Sequence, residues 1–121
     1  MTTICDTHIL VEALAGRLKA RETAIVSRDA WSISAISLWE LATLAQLGRV
    51  EIDLESADVV RALARIHVWP ITLEISRQST NLDFRGDPAD ELIAATALVH
   101  HAPLVTRDRE IRKSRIVPLA R

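Results

Sequence analysis

The sequence predicts an α/β fold in three layers, with helices on both faces of a central parallel sheet of about five short strands. Three observations lead there. Short apolar runs of β type alternate with longer segments of helical period along the chain. Strands separated by helices of that length pair in parallel, and right-handed crossovers carry the helices to both faces. The 121 residues, 49% of them hydrophobic, suffice for one core and not for two, so residues 1–121 are expected to form a single domain.

Thr3-Ile4-Cys5 reads as the first strand. From His8 to Ala15, the residues Ile9, Leu10, Ala13 and Leu14 recur at helical spacing, and Gly16 closes the segment. A second helix covers Lys19 to Val26. Trp31 to Ile36 is the next strand, running into a helix from Leu38 to Leu47 that Gly48 ends. Ser56 to His67 places Val59, Val60, Leu63 and Ile66 on one helical face. Val68 to Thr72 is a third strand, interrupted by Pro70, and Glu74 to Asn81 a short helix. The long helix runs from Pro88 to about His101. Leu104-Val105-Thr106 follows as a fourth strand, Asp108 to Lys113 as a short helix, and Ile116 to Leu119 as the final strand.

Charge and cysteine content remove several function classes. Lys and Arg number 15 against 16 Asp and Glu, a formal net charge of −1. No basic coat covers such a molecule, so any nucleic-acid contact belongs to a local patch. A single cysteine, Cys5, excludes a disulfide framework and a thiolate zinc site within one chain. Next to Asp6 on a strand, its side chain is expected on the opposite face, buried and inert. No apolar run is long enough to span a bilayer, and the N-terminus lacks a basic segment followed by an apolar core. The expectation is a cytoplasmic protein without membrane contact. Neither Gly-x-x-x-x-Gly-Lys-Ser/Thr nor Gly-x-Gly-x-x-Gly occurs, which excludes nucleotide binding through a glycine loop.

Acidic residues carry the strongest chemical signal. Crossover helices run antiparallel to the strands, so their N-termini gather at the strands' C-terminal edge, where open α/β sheets bind ligands. Asp6 follows strand one, Glu40 lies in the first turn of the helix after strand two, Asp87 and Asp90 open the long helix, and Asp108 follows strand four. Each has an ordinary structural explanation. Asp6 and Asp87 suit N-caps, Ser37-Leu38-Trp39-Glu40 fits a capping box, Pro88 suits N1, and Asp108 complements a helix dipole. Capping alone does not require acids from four segments to share one edge. Unit charges ~5 Å apart repel by roughly 3 kcal/mol at an effective dielectric near 20, so such a cluster binds protons or a cation. All-oxygen donors favour Mg²⁺ or Mn²⁺, and an acidic cradle for such an ion suits phosphoryl transfer. His8 stands near enough in sequence to be considered as a ligand, although an exposed first-turn position is its ordinary role.

Four segments, Ile-Cys-Asp6-Thr-His, Ser-Ile-Ser-Ala-Ile-Ser37-Leu-Trp-Glu40-Leu, Gly-Asp87-Pro-Ala-Asp90-Glu-Leu-Ile-Ala-Ala-Thr-Ala and Leu-Val-Thr106-Arg-Asp108, occur in an order that resembles PIN-domain proteins. The likeness is specifically to the VapC toxins of type II toxin–antitoxin pairs. It implies a Rossmann-like fold and a metal-dependent endoribonuclease, with Mg²⁺ or Mn²⁺ as cofactor and RNA as substrate. It also implies a homodimer and a VapB-like antitoxin partner. Residue by residue, it implies that Asp6, Asp90 and Asp108 bind metal and that Glu40 completes the catalytic acids. Thr7, Thr106 and Asp87 are implied in support, Asp87 by capping the helix that presents Asp90. The sequence departs at Glu91, where many relatives carry Arg, and this adds negative charge near the site.

Arg107, Arg109 and Arg112 flank Asp108 in a basic C-terminal stretch and are candidate RNA contacts. Trp31, Trp39 and Trp69 are expected in the core rather than stacked on bases. Response regulators need a lysine where Arg107 stands, and haloacid-dehalogenase-like phosphatases need Asp-x-Asp where this chain has Asp6-Thr7-His8. The alternative of another class is a non-catalytic interaction protein of the same fold with a structural or vestigial metal site. Metal-dependent RNA cleavage separates the two.

Overall fold

The computed structural model describes residues 2–121. Its elements in chain order are β1 (Thr2–Cys5), α1 (Thr7–Leu14), α2 (Ala20–Arg28), β2 (Ala30–Ser34), α3 (Ala35–Gln46), α4 (Ala57–Ala64), β3 (His67–Trp69), α5 (Leu73–Ser79), α6 (Pro88–His100), β4 (Leu104–Val105) and α7 (Arg109–Lys113). The sheet has strand order β3-β2-β1-β4 and is parallel throughout.

Two-residue alternation divides the core. Ile4 and its partner Leu104 enter one apolar cluster, with Ile93, Ala94 and Ala97 of α6 and Ile111 of α7. Cys5 and its partner Val105 point the other way, into a cluster with Ile9, Leu10 and Val11 of α1, Ile25 of α2 and Leu41 of α3. The sheet is therefore covered on both faces, as its continuous apolar strands require. Burial lifts the Cys5 thiol to about 12, which makes it an inert core residue. Trp31 and Trp69 pack against the two clusters, whereas Trp39 is 61% exposed on α3, outside the core expected for it.

Helix ends follow local chemistry. Gly16 and Gly48 take φ of +72° and +69°. Bonds from Gly16 N to Ala13 O and from Arg17 N to Glu12 O, with the matching pair at Gly48 and Arg49, close α1 and α3 as Schellman motifs. His101 closes α6 in the same left-handed conformation without being glycine.

Three expectations need correction. Among the described residues the sheet has four strands, not about five, and the segment expected as the last strand contributes a single bridge, Leu104 to Leu119. Pro118 lends its carbonyl to Leu104, but the next rung would need the amide proton it lacks. β3 ends at Trp69 because Pro70 follows it. Finally, α3 begins at Ala35, not Leu38, because Ser34 rather than Ser37 is its N-cap, accepting from Ile36 N at 3.2 Å.

Candidate active site

The strand order reverses between β1 and β4, which makes the crevice beyond their C-terminal ends the topological switch point. Asp6 leaves β1 there and caps α1, only 1% exposed. Its Oδ1 accepts from Thr7 N at 2.7 Å and its Oδ2 from Thr106 Oγ1 at 2.6 Å. The Thr106 hydroxyl oxygen also accepts from Asp108 N at 3.0 Å, so one side chain ties the ends of β1 and β4 together. Burial pushes the Asp6 carboxyl up. Its two donors oppose the rise, and the charge of Asp108 adds to it.

Glu40 reaches the same crevice from α3. Thr7 Oγ1 lies 2.5 Å from Glu40 Oε1 and 2.9 Å from Ser37 Oγ, and Ser37 is fully buried. Having one proton, the Thr7 hydroxyl donates to the carboxylate while Ser37 orients it. The capping box expected for Ser37 and Glu40 is absent: Ser37 lies inside α3 and Glu40 in its second turn, aimed at the β1 end. Desolvation raises the Glu40 carboxyl, the Thr7 bond opposes this, and the Asp6 charge adds to it.

Asp87 occupies the N-cap position of α6 and Pro88 follows, as expected, but the Asp87 side chain makes no capping bond. Its role is therefore not the cap inferred for it; its charge acts on Asp90 and Glu40. Asp90 is half-buried and pushed up to about 7, first by desolvation and then by the charges of Asp6, Asp108, Glu40 and Asp87. A Cβ on Gly86 would come within 3.7 Å of Asp90 Cβ, so the glycine leaves that carboxylate uncovered. Glu91 does add a carboxylate, and Arg85 Nη1 answers it at 3.7 Å.

Asp108 performs the structural role available to it, accepting at Oδ1 from Glu110 N and Ile111 N at 2.8 and 3.1 Å to cap α7. The same residue bears on Asp6 and Asp90 through its charge, so capping and membership of the acidic edge coexist. Of the basic candidates, Arg109 is exposed and Arg112 Nη1 donates to Thr106 O at 3.3 Å. Arg107 is engaged. Its Nε and Nη2 donate to Glu22 at 2.7 and 2.6 Å, a pairing across 85 residues that sequence patterns do not announce.

The five acids thus share one edge and feel one another electrostatically. Among the described residues, no three His, Cys, Asp or Glu side chains are gathered closely enough to form a ready metal-holding group. Asp6, Glu40 and Asp108 each accept from a donor of their own, whereas Asp87 makes no capping bond. The donor set is all oxygen, and an edge of carboxylates where desolvation and the other acids push Asp90 up to about 7 fits a hard divalent ion. His8 is exposed, and its proximity lowers the Asp6 and Glu40 carboxyls.

The PIN domain family matches residues 3–116 of this sequence. The chain is 36% identical over 121 aligned residues to Ribonuclease VapC22 of Mycobacterium tuberculosis (strain ATCC 25618 / H37Rv), covering 94% of this chain and 92% of that protein. Its fold is similar to that in a toxin–antitoxin complex from Klebsiella pneumoniae, with a TM-score of 0.75 and 20% identity over 98% of this chain and 96% of that one. VapBC2 from Rickettsia felis, crystallised with a DNA fragment from its promoter, gives a TM-score of 0.74 and 20% identity over 99% and 98% of the two chains.

Proposed function

The chain belongs to the PIN-domain family, and from that premise we propose that residues 1–121 act as one domain, a VapC-type endoribonuclease toxin that hydrolyses RNA phosphodiester bonds with Mg²⁺ or Mn²⁺. The observation that carries this reading is the acidic edge at the β1/β4 switch point, where Asp90 is pushed up to about 7 by desolvation and then by the charges of four neighbouring carboxylates. Asp6, Asp90 and Asp108 would hold the ion. When bound, it supplies the Lewis acidity that activates water and offsets charge on the phosphate. The chain's own residues do the rest. Thr7 and Thr106 fix the oxygens of Asp6, Ser37 and Thr7 set Glu40, and Asp87 deepens the negative field. Arg107, Arg109 and Arg112 would meet the RNA backbone beside Asp108.

The 36% identity to a ribonuclease supports the reaction class. The fold it shares with a toxin–antitoxin complex supports a VapB-like antitoxin partner, and the proposal includes assembly as a homodimer. Leu38, Trp39 and Leu47, exposed along and just after α3, offer apolar surface for the antitoxin. One observation favours the alternative, a non-catalytic PIN-fold interaction protein: the acids are not closed up as a metal-holding group. Induced expression decides. Wild-type chain should arrest growth and create new RNA 5′ ends, Asp6→Asn should do neither, and co-expression of a VapB-like antitoxin should restore growth. Normal growth and an unchanged RNA profile with wild type would remove the toxin assignment.

A further inference from the structure

A cavity of about 290 Å³ lies beside the acidic edge, between the start of α2 and the segment after β4. Lys19, Arg21, Arg107 and Arg112 supply four cationic side chains to its lining and Glu22 one carboxylate, a net charge of +3 in a chain whose total is −1. Thr106 belongs to the same wall, and its hydroxyl holds Asp6 at 2.6 Å. Positive cavity and acidic edge are therefore adjacent, joined through one residue.

The basic groups are organised rather than merely near. Glu22, 8% exposed, accepts from Lys19 N at 2.9 Å and takes both Nε and Nη2 of Arg107. That fork occupies two of the five guanidinium N–H donors and fixes the plane of the group, which leaves three for an outside acceptor. Arg112, on the far side, is anchored on Thr106 O. Lys19 and Arg21 stand exposed at the rim.

We propose that this cavity is a phosphate subsite, seating a backbone phosphate of the RNA strand whose neighbouring linkage lies at the acidic edge. The proposal rests on the nuclease reading and adds Lys19 and Arg21 as binding residues and Glu22 as the positioning residue for Arg107. An acidic edge by itself repels polyanions, and a cationic seat next to it resolves that conflict by holding the strand where repulsion is offset.

Arg107→Ala would strand a buried Glu22 and risk the fold, so the test uses Lys19→Ala and Arg21→Ala, with Arg77→Ala on α5 as an exposed control away from the cavity. Binding of a single-stranded RNA to the full chain is followed over a salt series in EDTA, which withholds the metal that cleavage needs. Each rim variant should weaken binding about fivefold, and the double rim variant should flatten the log K against log salt slope by about 0.7, the loss of one phosphate contact. The control should change neither. One uncharged methylphosphonate linkage, placed where it most weakens wild-type binding, should cost the double rim variant nothing further. Equal losses in the control would reduce the effect to diffuse charge and overturn the subsite, as would unchanged binding in both rim variants. Rim-dependent capture of an acidic peptide but not of RNA would overturn it in favour of a protein contact. Wild type that cleaves RNA without dependence on Lys19 or Arg21 removes the subsite and leaves the nuclease; wild type that neither binds nor cleaves RNA removes both.

Discussion

Asp90 is where the two possible meanings of a helix-start acid separate. Its folded pKa of about 7 lies above the ordinary carboxylate value, so between about pH 4 and 7 the folded chain holds a proton that the unfolded chain has released. The associated stability is complete below pH 4 and is lost as the pH rises through 7. In EDTA, Asp90→Asn should therefore melt above wild type at pH 7.5 by a few degrees, since ~1 kcal/mol shifts a domain of this size by about 4 °C. The gap should close toward pH 4. Mg²⁺ or Mn²⁺ should stabilise wild type by mass action and the variant much less. A variant that melts lower in EDTA and responds fully to metal would make Asp90 a dipole partner and nothing more. The Glu22–Arg107 pair has the opposite sign. Arg107 holds the Glu22 carboxyl down at about 2, so its contribution is present above about pH 4.5 and disappears as the pH falls toward 2. Thermal melts between pH 5 and 3 should show Glu22→Gln losing less stability on acidification than wild type, and parallel losses would remove the pair as a cause.

At the level of elements, the sequence was legible wherever a residue's own backbone preference sets an end. Gly16 and Gly48 announce the ends of α1 and α3, and Asp87-Pro88 announces the start of α6. Boundaries slipped where two residues competed for one role. Ser34 and Ser37 are both plausible caps of α3, and only the partner on α1 decides, because Thr7 draws Ser37 into the interior. Pro118 likewise reads as part of an apolar strand until the direction of pairing shows that its missing proton is needed. Asp6, Asp90 and Asp108 were placed on one edge by topology alone, whereas the Glu22–Arg107 contact was not, since no local pattern links residues from α2 and the turn before α7. His101 offers a test at this scale. It holds φ of 51° where the left-handed ends of α1 and α3 carry glycine, and a non-glycine residue there costs about 1 kcal/mol. His101→Gly should raise the melting temperature by about 2–4 °C; no rise would mean that the side chain compensates through contacts of its own.

The whole molecule places charge of both signs around one crevice, acids from β1, α3, α6 and α7 on one side and a lined cationic cavity on the other. The reaction follows from that arrangement only if the acids act together on a cation. Hydrolysis of a labelled single-stranded RNA by purified protein, with Mg²⁺ or Mn²⁺ titrated against EDTA, tests this most directly, using wild type and Asp6→Asn matched by circular dichroism. Cleavage should rise from nothing in EDTA to saturation with metal, and Asp6→Asn should fall by at least about 100-fold at every metal concentration. Cleavage that persists in excess EDTA, or that survives Asp6→Asn undiminished, would contradict the assignment of the acidic edge as the active site.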